Sequence, residues 1–295
     1  MLALFNEAFE KGWMSPHLAS SLRGKLFFLL SAAYGMAGRA ATLPLVQRQY
    51  RDSDHRFVAG SELHHSLLFF RALLPNLPRL RLQVTTVTDP PLLVYTDASF
   101  WVANKRGRGE GVDECANPHR DLRGALGAVV YDPRDRSYRT AWATPPWALL
   151  LASWRLDRKT YIAELEALAA LAVYGTYPSL FAGRRVQHFI DNSVALSAYV
   201  HGYSGKQELA KTVNVFYLQM VSLRASVYFD YVPSKANIAD LPSRGEHERT
   251  RRELHGLRQR GSAPDTLAIP SIAQWTAPLE SWVVRHEFQH LTFTA

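Results

Sequence analysis

Only one cysteine, Cys115, occurs in the 295 residues. That excludes an intramolecular disulfide and any multi-cysteine zinc site, so nothing requires an oxidising compartment. Long hydrophobic runs are missing as well. The longest apolar stretches, residues 26–38 and 147–154, fall short of the roughly 20 residues that span a bilayer, so no membrane-spanning segment is expected. Arg23-Gly24-Lys25 followed by Leu26-Phe27-Phe28-Leu29-Leu30 has the texture of a signal peptide, but it stands behind Glu7 and Glu10. An intracellular location, cytoplasmic or nuclear, is therefore expected. No internal repeat is visible. What is present is a 47% hydrophobic content, enough for a real core, and 34 Lys+Arg against 26 Asp+Glu, a formal charge of +8. A basic balance favours a polyanionic partner through counterion release and steering.

Three regions follow from the texture of the chain. Residues 1–90 are rich in helix formers, with apolar positions at helical spacing in Leu22, Leu26, Leu29 and Leu30 and again in Leu67, Leu68, Leu73 and Leu74. Arg23, Lys25, Arg39, Arg48, Arg51 and Arg56 recur among them, so a phosphate-facing stripe can coexist with a core-facing one. Asp89-Pro90-Pro91 breaks any helix and marks a boundary. From there β-type runs are expected over 92–96, 125–131 and 137–143, with Asp132-Pro133-Arg134-Asp135 as a turn. A strongly apolar helix over 157–174, a strand over 186–190, helices over 193–200 and 206–223, a strand over 227–232 and a helical turn over 236–241 complete residues 91–245. This order, with its helical crossovers, predicts a mixed α/β sheet. The polar stretch 100–122, with Lys105-Arg106-Gly107-Arg108, is too long for an ordinary hairpin loop and reads as a basic arm. Residues 246–295 form a tail, first a charged helix over 246–260 and then an aromatic segment with Trp275, Trp282 and Phe288.

Acidic residues stand at the ends of the expected β-elements. Asp97 lies in Tyr95-Thr96-Asp97-Ala98-Ser99 and Asp191 in Phe189-Ile190-Asp191-Asn192-Ser193. A carboxylate closing a buried strand costs several kcal/mol unless it is paired or metal-bound. Two such strand ends plus Glu164 or Glu166 from the apolar helix make a hard, oxygen-rich site suited to Mg²⁺ or Mn²⁺. Two ions about 4 Å apart activate a water and stabilise the leaving oxygen in phosphodiester displacement. A lone aspartate closing a strand is more often a helix N-cap. The order of the acids and the element types favour the chemical reading.

Over residues 92–244 the chain resembles the ribonuclease H domain of gypsy-like and DIRS-like retroelement reverse transcriptases. Thr96-Asp97-Ala98-Ser99 is similar to the first-strand motif, residues 162–169 to the catalytic-glutamate helix and Phe189-Ile190-Asp191-Asn192 to the third acid. Val232-Pro233-Ser234-Lys235-Ala236-Asn237-Ile238-Ala239-Asp240-Leu241-Pro242-Ser243-Arg244 is similar to the closing signature. The resemblance implies a five-stranded mixed sheet flanked by helices, with the helical region 1–90 as the link from a polymerase. It implies a metal set of Asp97, Glu166, Asp191 and Asp240 holding two ions, with Ser99, Asn192, Ser193, Lys235 and Arg244 near the substrate. The implied activity is metal-dependent cleavage of the RNA strand of RNA–DNA hybrids. No Asp-Asp pair of the kind a polymerase palm needs occurs, so a polymerase domain would be encoded separately or lost.

Two departures stand out. The stretch after Ser99 is longer than the family pattern, and Pro233-Ser234-Lys235 stands where cellular members carry a histidine. Hybrid shape rather than base identity is the expected basis of recognition. Arg106, Arg108, Lys206, Lys211, Lys235 and Arg244 are candidate phosphate contacts. The helix offers two glutamates. Glu166 is flanked by Ile162, Ala163, Ala169 and Ala170 in a close-packing stripe, whereas Glu164 lies nearer the helix start, where it is expected to stay partly solvated and gain from the dipole. Two other functions share the fold class: a catalytically inactive nucleic-acid-binding module and an integrase- or transposase-like DNA nuclease.

Overall fold

The computed structural model describes residues 2–31, 36–76, 89–102, 122–147, 150, 160–273 and 275–277. The basic arm around Lys105, together with Arg106 and Arg108, lies outside them, as do Trp282 and Phe288. Helices α1 (Leu2–Lys11), α2 (Pro16–Leu30), α3 (Leu43–Tyr50) and α4 (Glu62–Leu73) build the first region. Local chemistry starts two of them. Ser15 and Ser61 accept hydrogen bonds from the amides of Leu18 and His64, and Pro16 occupies a first-turn position where its missing N–H is harmless. Leu22, Leu26 and Leu30 form a buried stripe on α2, and Leu63, Leu67 and Phe70 form one on α4.

The second region is a mixed sheet in which Ser226–Tyr231, Arg185–Ile190, Leu92–Val102, Leu122–Asp132, Ser137–Ala143 and Arg258–Gln259 lie side by side in that order, with Asp265–Thr266 also pairing Ser137–Ala143. Strands β1 (Leu92–Val102), β2 (Leu122–Asp132) and β3 (Ser137–Ala143) form the antiparallel part, and β4 (Arg185–Ile190) and β5 (Ser226–Tyr231) run parallel to β1. Both β1 and β2 are longer than their apolar cores indicate, because strand pairing continues through Val102↔Leu122 into the polar stretch. Helix α5 (Ile162–Thr176) connects β3 to β4, α6 (Pro178–Phe181) follows it, and α7 (Ser193–His201) and α8 (Gln207–Leu223) lead from β4 to β5. Helix α5 starts later than expected and is buried from Ala163 to Tyr174. A helix that is apolar all round is buried all round, and its alanines permit close approach from several sides. Short helices α9 (Asp240–Ser243) and α10 (His247–Glu253) follow β5.

Two strands beyond the expected five come from the tail. The charged helix stops at Glu253, and β6 (Arg258–Gln259) and β7 (Asp265–Thr266) then add parallel to β3. Trp275 is buried, its carbonyl accepting from Asn214 of α8 and its indole N–H donating to Glu62 of α4 at 2.9 Å. Glu62 also holds Lys211 at 3.0 Å. Lys211 is thus buried and paired, not a phosphate contact. Core side chains of the helices, sheet and tail form one continuous cluster. No helix among the described residues is long and apolar enough to cross a membrane.

Candidate metal centre

Sheet register brings the acids together. Tyr95 pairs in register with Phe189 across the parallel β1–β4 ladder, their rings stacked 4.7 Å apart. Two residues further along each segment stand Asp97 and Asp191. Beneath them His188 is fully buried, one ring nitrogen 2.9 Å from the Thr96 hydroxyl and the other 3.0 Å from the Tyr174 hydroxyl. Burial drives its imidazole down to about 3, so the ring is neutral and ties β4, β1 and α5 together next to Asp97.

Carboxylate oxygens of Asp97, Glu166 and Asp191 lie within 4.8 Å of one another. Asp97 is 5% and Glu166 3% exposed. Burial pushes the Asp97 carboxyl up to about 6, and the charges of Asp191 and Asp240 push the same way against a hydrogen bond from Ser243. Glu166 is held well above the usual carboxylate range, first by burial and then by the charges of Asp97 and Asp191, with the Ala98 amide opposing them. One oxygen of Glu166, Oε2, is buried without a hydrogen-bond partner among the described residues. Three acids converging without a cation, one of them with an orphaned oxygen, are costly to a fold. A hard divalent cation would supply charge and oxygen coordination of the kind this group can offer, so the donor set fits Mg²⁺ or Mn²⁺.

Asp240, the fourth expected acid, stands outside this close set. It opens α9 and its carboxylate takes the Arg244 guanidinium at 2.7 Å. The segment carrying it is nonetheless fixed to β1. Asn237 is buried and donates to the Thr96 carbonyl at 3.0 Å, while its own oxygen accepts from the Ala239 amide. Ser243 donates to Asp97 Oδ2. This approach depends on Gly127, which pairs with Asp97 across β1–β2; a Cβ there would stand 2.3 Å from the Ser243 nitrogen and 2.8 Å from the Ala239 oxygen.

Expected substrate contacts are placed unevenly. The Ser99 hydroxyl is engaged internally, donating to the Ser243 carbonyl at 2.8 Å and accepting from the Ala125 amide at 3.1 Å. Asn192 caps α7, its oxygen accepting from the amides of Val194 and Ala195 at 3.1 Å, which is the ordinary use of a residue after a strand-end aspartate. Ser193, Lys235 and Arg244 are exposed, although Arg244 is committed to Asp240. Glu164 is not partly solvated: it is 3% exposed, because α5 is packed on every side. Sequence reasoning missed Ser243, Asn237, Gly127 and His188. Gly127 carried a signal as an isolated glycine between Leu126 and Ala128, which marks close backbone approach, and Asn237 and Ser243 lie within the closing signature, whereas His188 carried none. No protein-family model matches the chain, and no curated protein matches it.

Proposed function

We propose that the chain is a ribonuclease H-type endonuclease of retroelement origin that cuts the RNA strand of RNA–DNA hybrids with Mg²⁺ or Mn²⁺. The observation that carries this reading is the convergence of Asp97, Glu166 and Asp191 with a buried, unpartnered Glu166 oxygen. Asp97, Glu166 and Asp191 would hold the ions, with Asp240 at the margin once a ligand competes with Arg244. When bound, the ions supply an activated water and neutralise charge on the leaving oxygen. Ser243 and the Asn237 clamp hold Asp97 in one orientation. Neutral His188 keeps the floor rigid without adding a positive charge that would compete for the carboxylates. The basic balance of the chain supports a polyanionic substrate.

The test is cleavage of an end-labelled hybrid. Mg²⁺ or Mn²⁺ should give RNA fragments, chelator should stop them, and Asp97→Asn should abolish turnover while the chain stays folded. Cutting of double-stranded DNA in place of the hybrid would favour the DNA nuclease. Binding of hybrid without cleavage of either duplex would leave an inactive binding module.

A further inference from the structure

Arg23, Arg39, Arg48, Arg51 and Arg56 of the helical region divide into two groups once folded. Arg48 is buried, pairs with Asp52 at 3.0 Å and donates to the carbonyls of Met14 and Arg56. Arg56 pairs with Asp54 at 2.7 Å. Arg48 thus ties the fold together, and Arg56 is neutralised at the surface. The other group has no carboxylate. Arg23 of α2 donates to the neutral Gln49 of α3 at 3.0 Å. Arg39 lies 5.2 Å over the Phe27 ring and donates to the His201 carbonyl at 3.0 Å, at the end of α7. Arg51 is exposed just past α3, two residues beyond Gln49. Phe27 in turn meets Tyr203 of the turn between α7 and α8, with ring centroids 6.4 Å apart; burial raises the Tyr203 hydroxyl above its ordinary range, and the nearby charges of Arg23 and Arg51 oppose that rise. Lys206, exposed, closes that turn.

We propose that this junction of α2, α3 and the α7–α8 turn is a second contact for the phosphodiester backbone of a nucleic-acid strand. None of Arg23, Arg39, Arg51 or Lys206 forms an ion pair among the described residues, and like charges gathered on one surface gain most from a polyanion that releases its counterions. A guanidinium whose other donors are spent on neutral acceptors keeps its full charge, and its planar fork suits phosphate. The place of the patch also matters. Helix α7 begins directly after Asp191 and ends where Arg39 holds His201, which puts the patch about 15 Å from the acids at 1.5 Å per residue. On a duplex that is roughly four to five base pairs, so one bound strand can meet both. The choice of partner rests on the nuclease reading above; the charge argument does not.

The experiment measures equilibrium binding of a fluorescent RNA–DNA hybrid in chelator, where no cleavage occurs, across a range of salt. The double variant Arg23→Gln/Arg51→Gln of the full chain should bind more weakly, and the slope of log K against log salt should flatten by about two units. Should the double variant not fold by circular dichroism, Arg51→Gln alone, at an exposed helix end, should flatten the slope by about one unit. An unchanged slope in a folded variant overturns the proposal even if the wild type cuts hybrid normally. A flattened slope with no cleavage by the wild type upholds the contact and removes the nuclease reading instead.

Discussion

Two buried aspartates lie on the same pair of strands, Asp97 midway along it and Asp132 at one end, and their surroundings are opposite. Asp97 on β1 and Asp132 at the end of β2 are 5% and 8% exposed. With Asp97 paired to Gly127, five residues put Asp132 about 17 Å away along the ladder. Asp132 is ringed by guanidinium groups, Arg134 at 3.0 Å and Arg184 at 3.2 Å, and these hold its carboxyl below the ordinary value against the effect of burial. Asp97 is ringed by acids, and its carboxyl is pushed up to about 6. Burial is common to both, so burial alone does not mark a functional carboxylate. The sign of the neighbours separates them: Asp132 is neutralised by arginines, whereas Asp97 faces like charges that the proposed cation would neutralise.

The largest effect expected from breaking this contrast is at the acidic group. Glu166→Gln should lower hybrid cleavage about a thousandfold or more, because it removes charge from the only acid with an unpartnered buried oxygen among the described residues. At Asp132 the readout changes from rate to stability. Asp132→Ala leaves Arg184, only 10% exposed, without its carboxylate, which should cost about 3–5 kcal/mol in denaturant unfolding. Cleavage per folded molecule should not change. A loss of rate with no loss of stability would reverse the roles assigned to Asp97 and Asp132.

Gly127→Ala sharpens the comparison between them. Its methyl must displace backbone at Ser243 and Ala239, so a stability loss of about 1–3 kcal/mol is expected. Cleavage should fall with it, since Ser243 no longer reaches Asp97. Full activity in this variant would mean that the α9 segment does not position Asp97. The smallest effect belongs to Glu164→Gln, which should reduce single-turnover cleavage less than about tenfold. Reversal of the Glu164 and Glu166 order would move the metal ligand by two residues.

The three acids that converge were legible along the chain because each sits in a local pattern: Asp97 and Asp191 follow apolar strand residues, and Glu166 lies in an alanine-rich helix. The five main strands were legible for the same reason, since alternation and turn residues are local signals. What escaped depends on contacts between residues far apart. Ser243 and Asp97 are joined across the whole β1–β5 topology, and the Thr96–His188–Tyr174 chain links three elements. Strands β6 and β7 are two residues each, too short for any periodicity. The burial of Glu164 was hidden because helix position predicts dipole contact but not what packs over the first turn.

Melting of the wild type and Asp97→Asn near pH 7, with and without Mg²⁺, tests most directly whether the acidic group is a cation site. A carboxyl moved from 3.8 to about 6 keeps in the folded state a proton that the unfolded chain releases. Metal-free stability therefore falls as pH rises from about 4 through about 6, by up to about 3 kcal/mol from this group, and the loss is complete above that window. Asp97→Asn carries no such penalty. Without metal it should melt above the wild type near neutral pH, with the gap closing below about pH 4. Mg²⁺ should then raise the wild type and leave the variant nearly unmoved. A variant that melts below the wild type in chelator, together with no Mg²⁺ shift in either, would contradict the account and make Asp97 a structural residue like Asp132.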